Sequence, residues 1–189
     1  MSIVKYLIEN STKIVESGGL LTGFILVFIE SFIPMLPLSF FVALNVGAFD
    51  FIIGCLISWI ATCLGSFLCY KFFYIIDFNR FNKFKFINII KTKIDRFSKI
   101  KFPELVLILT LPFTPSFLVN ILSGFTKMSN RKFIASLLIG KFFSILFWGY
   151  IGNSVIKSIA DIDSIIYIGI TLLISYILSK IINKKFNIE

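Results

Sequence analysis

The sequence predicts an all-α integral membrane protein, a small helical bundle built almost entirely from apolar segments. Hydrophobic residues make up 57% of the 189-residue chain and charged residues only 15%, whereas soluble domains carry about 25% charged residues. The apolar residues come in long blocks, and about 20 of them suffice to cross the ~30 Å hydrocarbon core. Basic residues of this +9 chain lie between the blocks, which indicates loops facing anionic lipid rather than nucleic-acid binding.

The N-terminal part contains an amphipathic segment and two apolar blocks. Residues 1–17 mix apolar and charged positions at helical spacing, which predicts a short helix on the membrane surface. Residues 18–49 are too long for one simple span and too short for two spans with a loop. Residues 51–76 are long enough for a tilted crossing.

A basic stretch separates these blocks from three further ones. Residues 77–101 interleave basic residues with apolar residues at spacings of three or four, which predicts an amphipathic helix on the membrane surface. Residues 102–125 form the next block and residues 133–156 a full span. Residues 164–182 are predicted to form a C-terminal transmembrane helix.

The positive-inside rule orients the blocks. Residues 77–101 and 126–132 are both basic and are expected on the cytoplasmic side of the cell membrane, so the block between them begins and ends on one side. Its length cannot cross a ~30 Å core twice at ~1.5 Å per residue, so residues 102–125 are predicted to be a re-entrant hairpin. A second hairpin over residues 18–49 leaves about three full transmembrane helices and a cytoplasmic C-terminus.

Two similar proline motifs indicate an inverted repeat of these hairpins. The matched residues are Pro34, Pro37, Asn45 and Gly47 in the first hairpin, and Pro112, Pro115, Asn120 and Gly124 in the second. Opposed hairpins of this kind are a common transporter plan. Proline frees backbone groups that lipid cannot satisfy, so both turns are expected at the protein centre, where amides and helix ends can hold an anion. The alternative is that the prolines only kink ordinary helices.

Two charged residues deep in apolar blocks join these motif residues as candidates for substrate or proton binding. Glu30 is the only carboxylate deep inside a block, and such groups are usually functional, so it is a candidate proton carrier. The alternative is a structural acid that hydrogen-bonds the broken backbone. Lys141 is expected to pair with Glu30 or to hold a phosphate, unless it snorkels to the cytoplasmic side.

The residue types present exclude several kinds of chemistry. The chain has no histidine, which removes His-ligated metal sites and His-based catalytic triads. Cys55, Cys63 and Cys69 lie in one block without metal-type spacing and are interpreted as small packing residues. We therefore expect no catalytic residue, no metal, no cofactor and no nucleic-acid partner.

With these motifs the chain resembles the DedA family within the SNARE-associated (VTT-domain) superfamily, over about residues 18–156. The matching stretches are Glu30-Ser-Phe-Ile-Pro34-Met-Leu-Pro37 and the more specific Pro112-Phe-Thr-Pro115-Ser-Phe-Leu-Val-Asn120-Ile-Leu-Ser-Gly124. The bacterial branch similar to yeast Golgi Tvp proteins is the nearest. The resemblance implies two facing re-entrant hairpins and lipid handling, since bacterial relatives are linked to undecaprenyl phosphate return, eukaryotic relatives scramble phospholipids, and proton-motive force matters in parts of the family.

The chain departs from this family at two positions. Many members carry an arginine three residues before the first proline of the second hairpin, where this chain has Leu109. Many also carry a second acidic residue about where Ser39 stands. Lys141 is therefore the candidate to replace the missing cation, and Glu30 is the only acidic residue at a matching position.

Residues and resemblance together give one leading hypothesis and three alternatives. The leading hypothesis is a proton-coupled transporter or scramblase-type flippase for an anionic lipid, undecaprenyl phosphate or a phospholipid, with an oligomer possible by symmetry. The alternatives are a proton-coupled exporter of small solutes, an enzyme acting on lipid phosphate, and a non-transporting membrane-organising protein. The enzyme is disfavoured because such chemistry needs paired carboxylates, a metal or an activated nucleophile.

Overall fold

The computed structural model describes residues 3–33, 37–76, 94, 97–158 and 162–186, with side chains for 10–33, 37–76, 94, 97–154 and 167–186. This part of the chain is all helical and contains no strand, which confirms the predicted class. Its helices are α1 (Ile3–Glu30), α2 (Leu38–Phe49), α3 (Phe51–Ile75), α4 (Phe102–Thr110), α5 (Ser116–Phe125), α6 (Asn130–Ser158) and α7 (Ile162–Phe186). The basic segment predicted over 77–101 falls mostly outside the described residues.

Among the described residues, four helices are long and apolar enough to cross a membrane. They comprise Asn10–Glu30, Phe51–Ile75, Asn130–Ser154 and Tyr167–Phe186. The sequence predicted about three, and the additional one is Asn10–Glu30, which enters the block predicted as a hairpin. It arises because the apolar helix that ends at Glu30 is preceded by further helical residues from Asn10, which are joined to it across a break at Gly19.

A single glycine breaks α1 in its middle. Gly19 has φ 68° and ψ −173°, a left-handed backbone conformation that glycine adopts without the steric cost of a side chain. The unbroken part from residue 20 to residue 30 rises about 16 Å at 1.5 Å per residue. The break therefore divides the first candidate span into two shorter pieces.

Three short helices flank the proline turns. The helices α2, α4 and α5 contain 12, 9 and 10 residues, which corresponds to about 18, 14 and 15 Å, so none of them can cross a ~30 Å core alone. Proline sets their limits: Pro37 and Pro115 immediately precede α2 and α5, and Pro103 lies in the first turn of α4. The residue before Pro112 is extended, which ends α4.

The helices α3 and α6 form the centre of the bundle. The helix α3 packs against α1, α2, α5 and α6, and α6 also packs against α2, α4 and α7. Two apolar clusters result. One surrounds Tyr70, Leu105 and Phe133, and the other includes Val42 of α2 and Trp148 of α6.

Tyr70 ties α3 to the connection between α5 and α6. Its hydroxyl oxygen lies 2.6 Å from the Met128 carbonyl oxygen and 2.7 Å from Asn130 Oδ1. Its ring stacks on Phe133 with centroids 4.2 Å apart. The side chain is fully buried, so the hydroxyl and its partners depend on one another.

Replacing Tyr70 with phenylalanine is expected to destabilise the protein by about 1–2 kcal/mol, because the buried Met128 carbonyl loses its donor while the ring stays in place. Thermal unfolding in detergent measures this loss. Tyr150→Phe is the matched control, since Tyr150 is 63% exposed and its replacement should leave the midpoint unchanged. Equal midpoints for both variants would contradict the role assigned to the Tyr70 hydroxyl.

Candidate functional site

A pocket of about 380 Å³ lies between the two proline turns. Residues 37–39 from the first turn and residues 111–117 from the second form most of its wall, and Glu30, Ser144 and Trp148 complete it. The pocket therefore joins segments that are more than 70 residues apart in the sequence, and it places a carboxylate beside both turns.

Two helices begin at this pocket. The helix α2 begins after Pro37 and α5 after Pro115, and neither proline supplies a capping side chain. The Phe40 amide donates to the Pro37 carbonyl and the Leu118 amide to the Pro115 carbonyl, each at 3.0 Å. The backbone amides at the start of each helix come before the first of these hydrogen bonds. As at any helix N-terminus, they create a positive electrostatic potential in the space in front of the helix.

Lys141 brings a cation to the same place. It lies eleven residues beyond Asn130, about 17 Å along α6, which is near the middle of a membrane-spanning helix. Its side chain is 1% exposed, and its ammonium donates a hydrogen bond to Ser116 Oγ at the start of α5. The structure thus shows a buried lysine directed to the second turn rather than a lysine snorkelling toward an end of the helix.

Glu30 supplies the opposite charge. It ends α1 and lines the pocket, and it interacts electrostatically with Lys141. Its Oε2 atom is buried and has no hydrogen-bond partner within the described residues. An acceptor without a donor and a nearby ammonium make this side of the pocket suited to receive a proton or a polar ligand group.

The remaining predicted site residues divide into two groups. Pro37, Pro112 and Pro115 line the pocket, whereas Pro34 lies outside the described residues. Asn120 and Gly124 lie further along α5 and face α3 instead. A Cβ atom on Gly124 would come within 2.7 Å of the Tyr70 carbonyl oxygen, so this glycine serves the close packing of α5 on α3.

The sequence pattern of the VTT domain matches residues 33–154, a stretch that contains both turns, α3 and Lys141. The chain belongs to the VTT-domain (DedA) family. This confirms the resemblance seen in the motifs. The chain is also 29% identical over 156 residues to the uncharacterized membrane protein YhjE of Bacillus subtilis (strain 168), which covers 76% of this chain and 72% of that protein. A comparison with the solved structures finds no significant match.

The structure also places the two positions at which the sequence departs from the expected DedA pattern. Leu109, where the resemblance led us to expect an arginine, is 2% exposed and packs so closely on α6 that a Cβ atom on Gly140 would lie 2.6 Å from the Leu109 Cβ. Leu109 is not part of the pocket wall, whereas Lys141, which follows Gly140 on α6, donates to Ser116 in that wall. Ser39, at the position of the second acid, lines the pocket.

Four pocket residues of this DedA-family protein were not singled out from the sequence. Ser144 and Trp148 follow Lys141 by three and seven residues on α6, so they share its face, and that spacing could have revealed them. Thr114 and Ser116 adjoin the second proline motif. Thr114 Oγ1 lies 3.0 Å from Asn183 Oδ1, so the C-terminal helix α7 contacts the second turn. This contact could not be predicted from the local sequence, because the two residues are far apart in the chain.

Aromatic rings line the other side of the pocket. The Phe113 ring meets the Trp148 ring edge-on, with centroids 5.3 Å apart, and it meets Tyr176 of α7 at 5.6 Å. The pocket of this VTT-domain protein therefore has a polar wall of Glu30 and Ser116 and an aromatic wall, a combination suited to an amphiphilic ligand.

Proposed function

We propose that this DedA-family protein translocates an anionic lipid across the cell membrane, binding its phosphate in the pocket between the two proline turns. Undecaprenyl phosphate or a phospholipid is the substrate class, and Glu30 exchanges protons with the site. The observation that carries the proposal is Lys141, a lysine 1% exposed in the middle of a membrane-spanning helix. Burying an ionisable group at this depth of a membrane costs free energy, and such groups mark functional sites.

The positive elements of the pocket favour an anion with several oxygens. The Lys141 ammonium donates to Ser116, and the N-termini of α2 and α5 both open on the same space. Backbone amides at a helix N-terminus bind phosphate through hydrogen bonds and the helix dipole. A phosphate in this pocket would therefore receive hydrogen bonds from two helix N-termini and one ammonium group. The lipid part of the ligand would find apolar contacts with Phe113 and Trp148.

The depth of Glu30 supports re-entrant hairpins. If Asn10–Glu30 crossed the membrane completely, Glu30 would lie at a membrane surface. Instead it shares a pocket with Ser144 and interacts with Lys141, and both of those residues lie in the middle of a span. The break at Gly19 leaves a piece of about 16 Å before Glu30, about half of the hydrocarbon core. An inverted repeat with both turns at the midplane fits these lengths.

The charges place one end of the bundle in the cytoplasm under this proposal. The basic end, where α3 and α5 end and α6 begins, carries Lys71, Lys127, Arg131 and Lys132. The Lys132 ammonium donates to the Ile100 carbonyl oxygen, and Lys185 of α7 lies near Ile100. Anionic lipid and the positive-inside rule favour the cytoplasmic side for such a cluster, which also places the C-terminus there.

Transport rather than catalysis is proposed, because the described wall of the pocket offers a single carboxylate, Glu30, and no pair of carboxylates that could act as acid and base. Hydrolysis of a lipid phosphate needs an activated nucleophile, paired acid and base groups or a metal. Binding and release of an anion need only donors and a change of access.

Replacing Glu30 with glutamine is expected to slow lipid movement in proteoliposomes by about tenfold, because the pocket loses its proton-exchanging group. A headgroup-resolved flipping assay at two pH values measures the rate, and the difference between the two values should disappear in the variant. Glu16→Gln, on the exposed part of the same helix, is the matched control. A variant that flips lipid as fast as the parent at both pH values would remove Glu30 from the mechanism. Proton flux without lipid movement would instead favour a small-solute exporter using the same pocket.

A further inference from the structure

The interior between the helices holds an unusual set of polar atoms. Side-chain atoms that are buried and lack a hydrogen-bond partner within the described residues include Ser31 Oγ, Thr62 Oγ1, Ser66 Oγ, both polar atoms of Asn120, Ser123 Oγ and Ser136 Oγ. Every one of these side chains is at most 2% exposed. Buried polar groups in native proteins almost always have partners, and bound water supplies them where protein groups do not.

Other hydroxyl groups of this chain satisfy their hydrogen-bonding capacity within their own helix. Thr22, Thr110 and Thr171 donate to the carbonyl oxygen four residues earlier in their own helices, at 2.9 Å each. That local bond is available to any helical threonine or serine. Thr62 and Ser66 do not make it, which leaves their hydroxyls free for another partner.

Six small or polar side chains on α3 and α5, three of them with hydroxyls unpartnered among the described residues, lie along one interface. On α5, Ser116, Asn120 and Ser123 are spaced by four and three residues and therefore share a face. On α3, Thr62, Ser66 and Cys69 have the same spacing. We call these six side chains the polar seam.

The helices α3 and α5 pack against each other, and three contacts, one of them between two seam residues, show how they lie. Near the pocket, Cys63 of α3 interacts with Lys141, which donates to Ser116 of α5. One or two turns further, the Cys69 thiol interacts with the Asn120 amide. A thiol is a weak partner, so the amide keeps most of its hydrogen-bonding capacity.

The third contact lies close to the basic end. There a Cβ atom on Gly124 would come within 2.7 Å of the Tyr70 carbonyl oxygen and of the Phe73 Cβ. The two helices thus run side by side in the same direction, and the polar seam extends from Lys141 toward Tyr70.

We propose that the polar seam between α3 and α5 is hydrated and that its water is continuous with the pocket at Ser116 and Lys141. Buried water typically makes about three hydrogen bonds to polar groups that the protein leaves unsatisfied, and the seam supplies hydroxyls and an amide at successive helical turns. The seam meets the pocket at Ser116, which accepts the Lys141 hydrogen bond, whereas the close packing of Gly124 against Tyr70 and Phe73 marks its other end. This inference rests on the proposed function for its purpose, since water held beside Lys141 hydrates the transport site.

The three native cysteines of α3 provide the test. Cys69 lies in the polar seam and is 1% exposed, whereas Cys55 lies in the apolar cluster with Val42 and Trp148 and is 6% exposed. Radiolytic hydroxyl-radical labelling of the full chain in nanodiscs, read by mass spectrometry, reports water next to a side chain regardless of its surface exposure. Cys69 is expected to be labelled several-fold faster than Cys55.

Two variants make the test specific. Asn120→Leu fills the seam with apolar atoms and should lower Cys69 labelling to the rate of Cys55. If that variant does not fold, Thr62→Val removes one hydroxyl at nearly constant volume and should lower the Cys69 rate in part. Equal labelling of Cys69 and Cys55 in the parent would overturn the proposal, and so would fast Cys69 labelling that neither variant reduces. Because labelling needs no lipid movement, a hydrated seam in a protein without flipping activity would count against the proposed function and not against the seam.

Discussion

Replacing Lys141 with methionine is expected to lower the rate of anionic-lipid movement by about 10- to 100-fold, because a hydrogen bond to a charged group contributes about 1.5–3 kcal/mol. Methionine has a similar length and no charge, so the pocket keeps its shape but loses the ammonium that donates to Ser116. Proteoliposomes containing a headgroup-labelled anionic lipid measure the rate, and a zwitterionic lipid shows whether the loss is specific for the anion.

The same variant should not be less stable than the parent. A buried charge is costly to desolvate, and its replacement by an apolar residue is often neutral or stabilising. The midpoint of thermal unfolding in detergent is therefore expected to stay the same or rise. This separates a lysine kept for function from one kept for folding, because a structural lysine would lower the midpoint when removed.

Lys71→Met is the matched control for Lys141→Met. Lys71 also lies on a membrane-spanning helix, but its ammonium sits over the Tyr74 ring, 5.1 Å from the centroid, away from the pocket. Its replacement should leave lipid movement unchanged.

The double variant Glu30→Gln with Lys141→Met should be no slower than the slower single variant, since the effects of substituting coupled residues in one site are not additive. Transport by Lys141→Met at the parent rate would refute the assignment of the phosphate site.

Replacing Gly54 with alanine is expected to destabilise the protein by about 2–3 kcal/mol, because the added methyl group overpacks a helix crossing. A Cβ atom at this position would lie 2.5 Å from the Val46 amide nitrogen and 2.6 Å from the Asn45 carbonyl oxygen. Both are backbone atoms, so α2 must move as a whole. That movement would also pull Asn45 Nδ2 away from the Gly23 carbonyl oxygen at 3.2 Å and from Ser58 Oγ at 2.9 Å.

The control for this glycine lies on α7. A Cβ atom on Gly169 has no atom within 4 Å, so Gly169→Ala should be neutral or stabilise its helix by up to about 1 kcal/mol. Thermal unfolding of the two variants in one detergent compares them directly. If Gly54→Ala unfolds at the same temperature as Gly169→Ala, α2 and α3 do not cross as closely as described.

The sequence sufficed for the helices and for the charged residues, because both depend on local composition. Long apolar blocks predict membrane helices whatever their partners are, and a carboxylate or ammonium in such a block stands out on its own. The prolines indicated where two apolar blocks are interrupted, and α2 and α5 begin directly after Pro37 and Pro115. Glu30 and Lys141 were for this reason identified before their surroundings were known.

What could not be predicted depends on contacts between distant segments. The two helical pieces of α1 meet at Gly19, and the backbone conformation of that one residue decides how they are joined. Asn45 and Asn120 follow their proline motifs in the same way, yet Asn45 donates to Gly23 and Ser58 while Asn120 lies against α3. The choice between a buried and a snorkelling Lys141 was decided by Ser116, which reaches it only through the tertiary fold.

The position of Trp148 provides an optical probe of the pocket. Its indole lines the wall and touches Phe113, whereas the chain's other tryptophan, Trp59, donates from Nε1 to the Leu138 carbonyl oxygen, 3.0 Å away, outside the pocket wall. A Trp59→Phe protein would therefore emit from Trp148 alone. Titration with a short-chain lipid phosphate would then follow occupancy of the site through native fluorescence, without any attached dye.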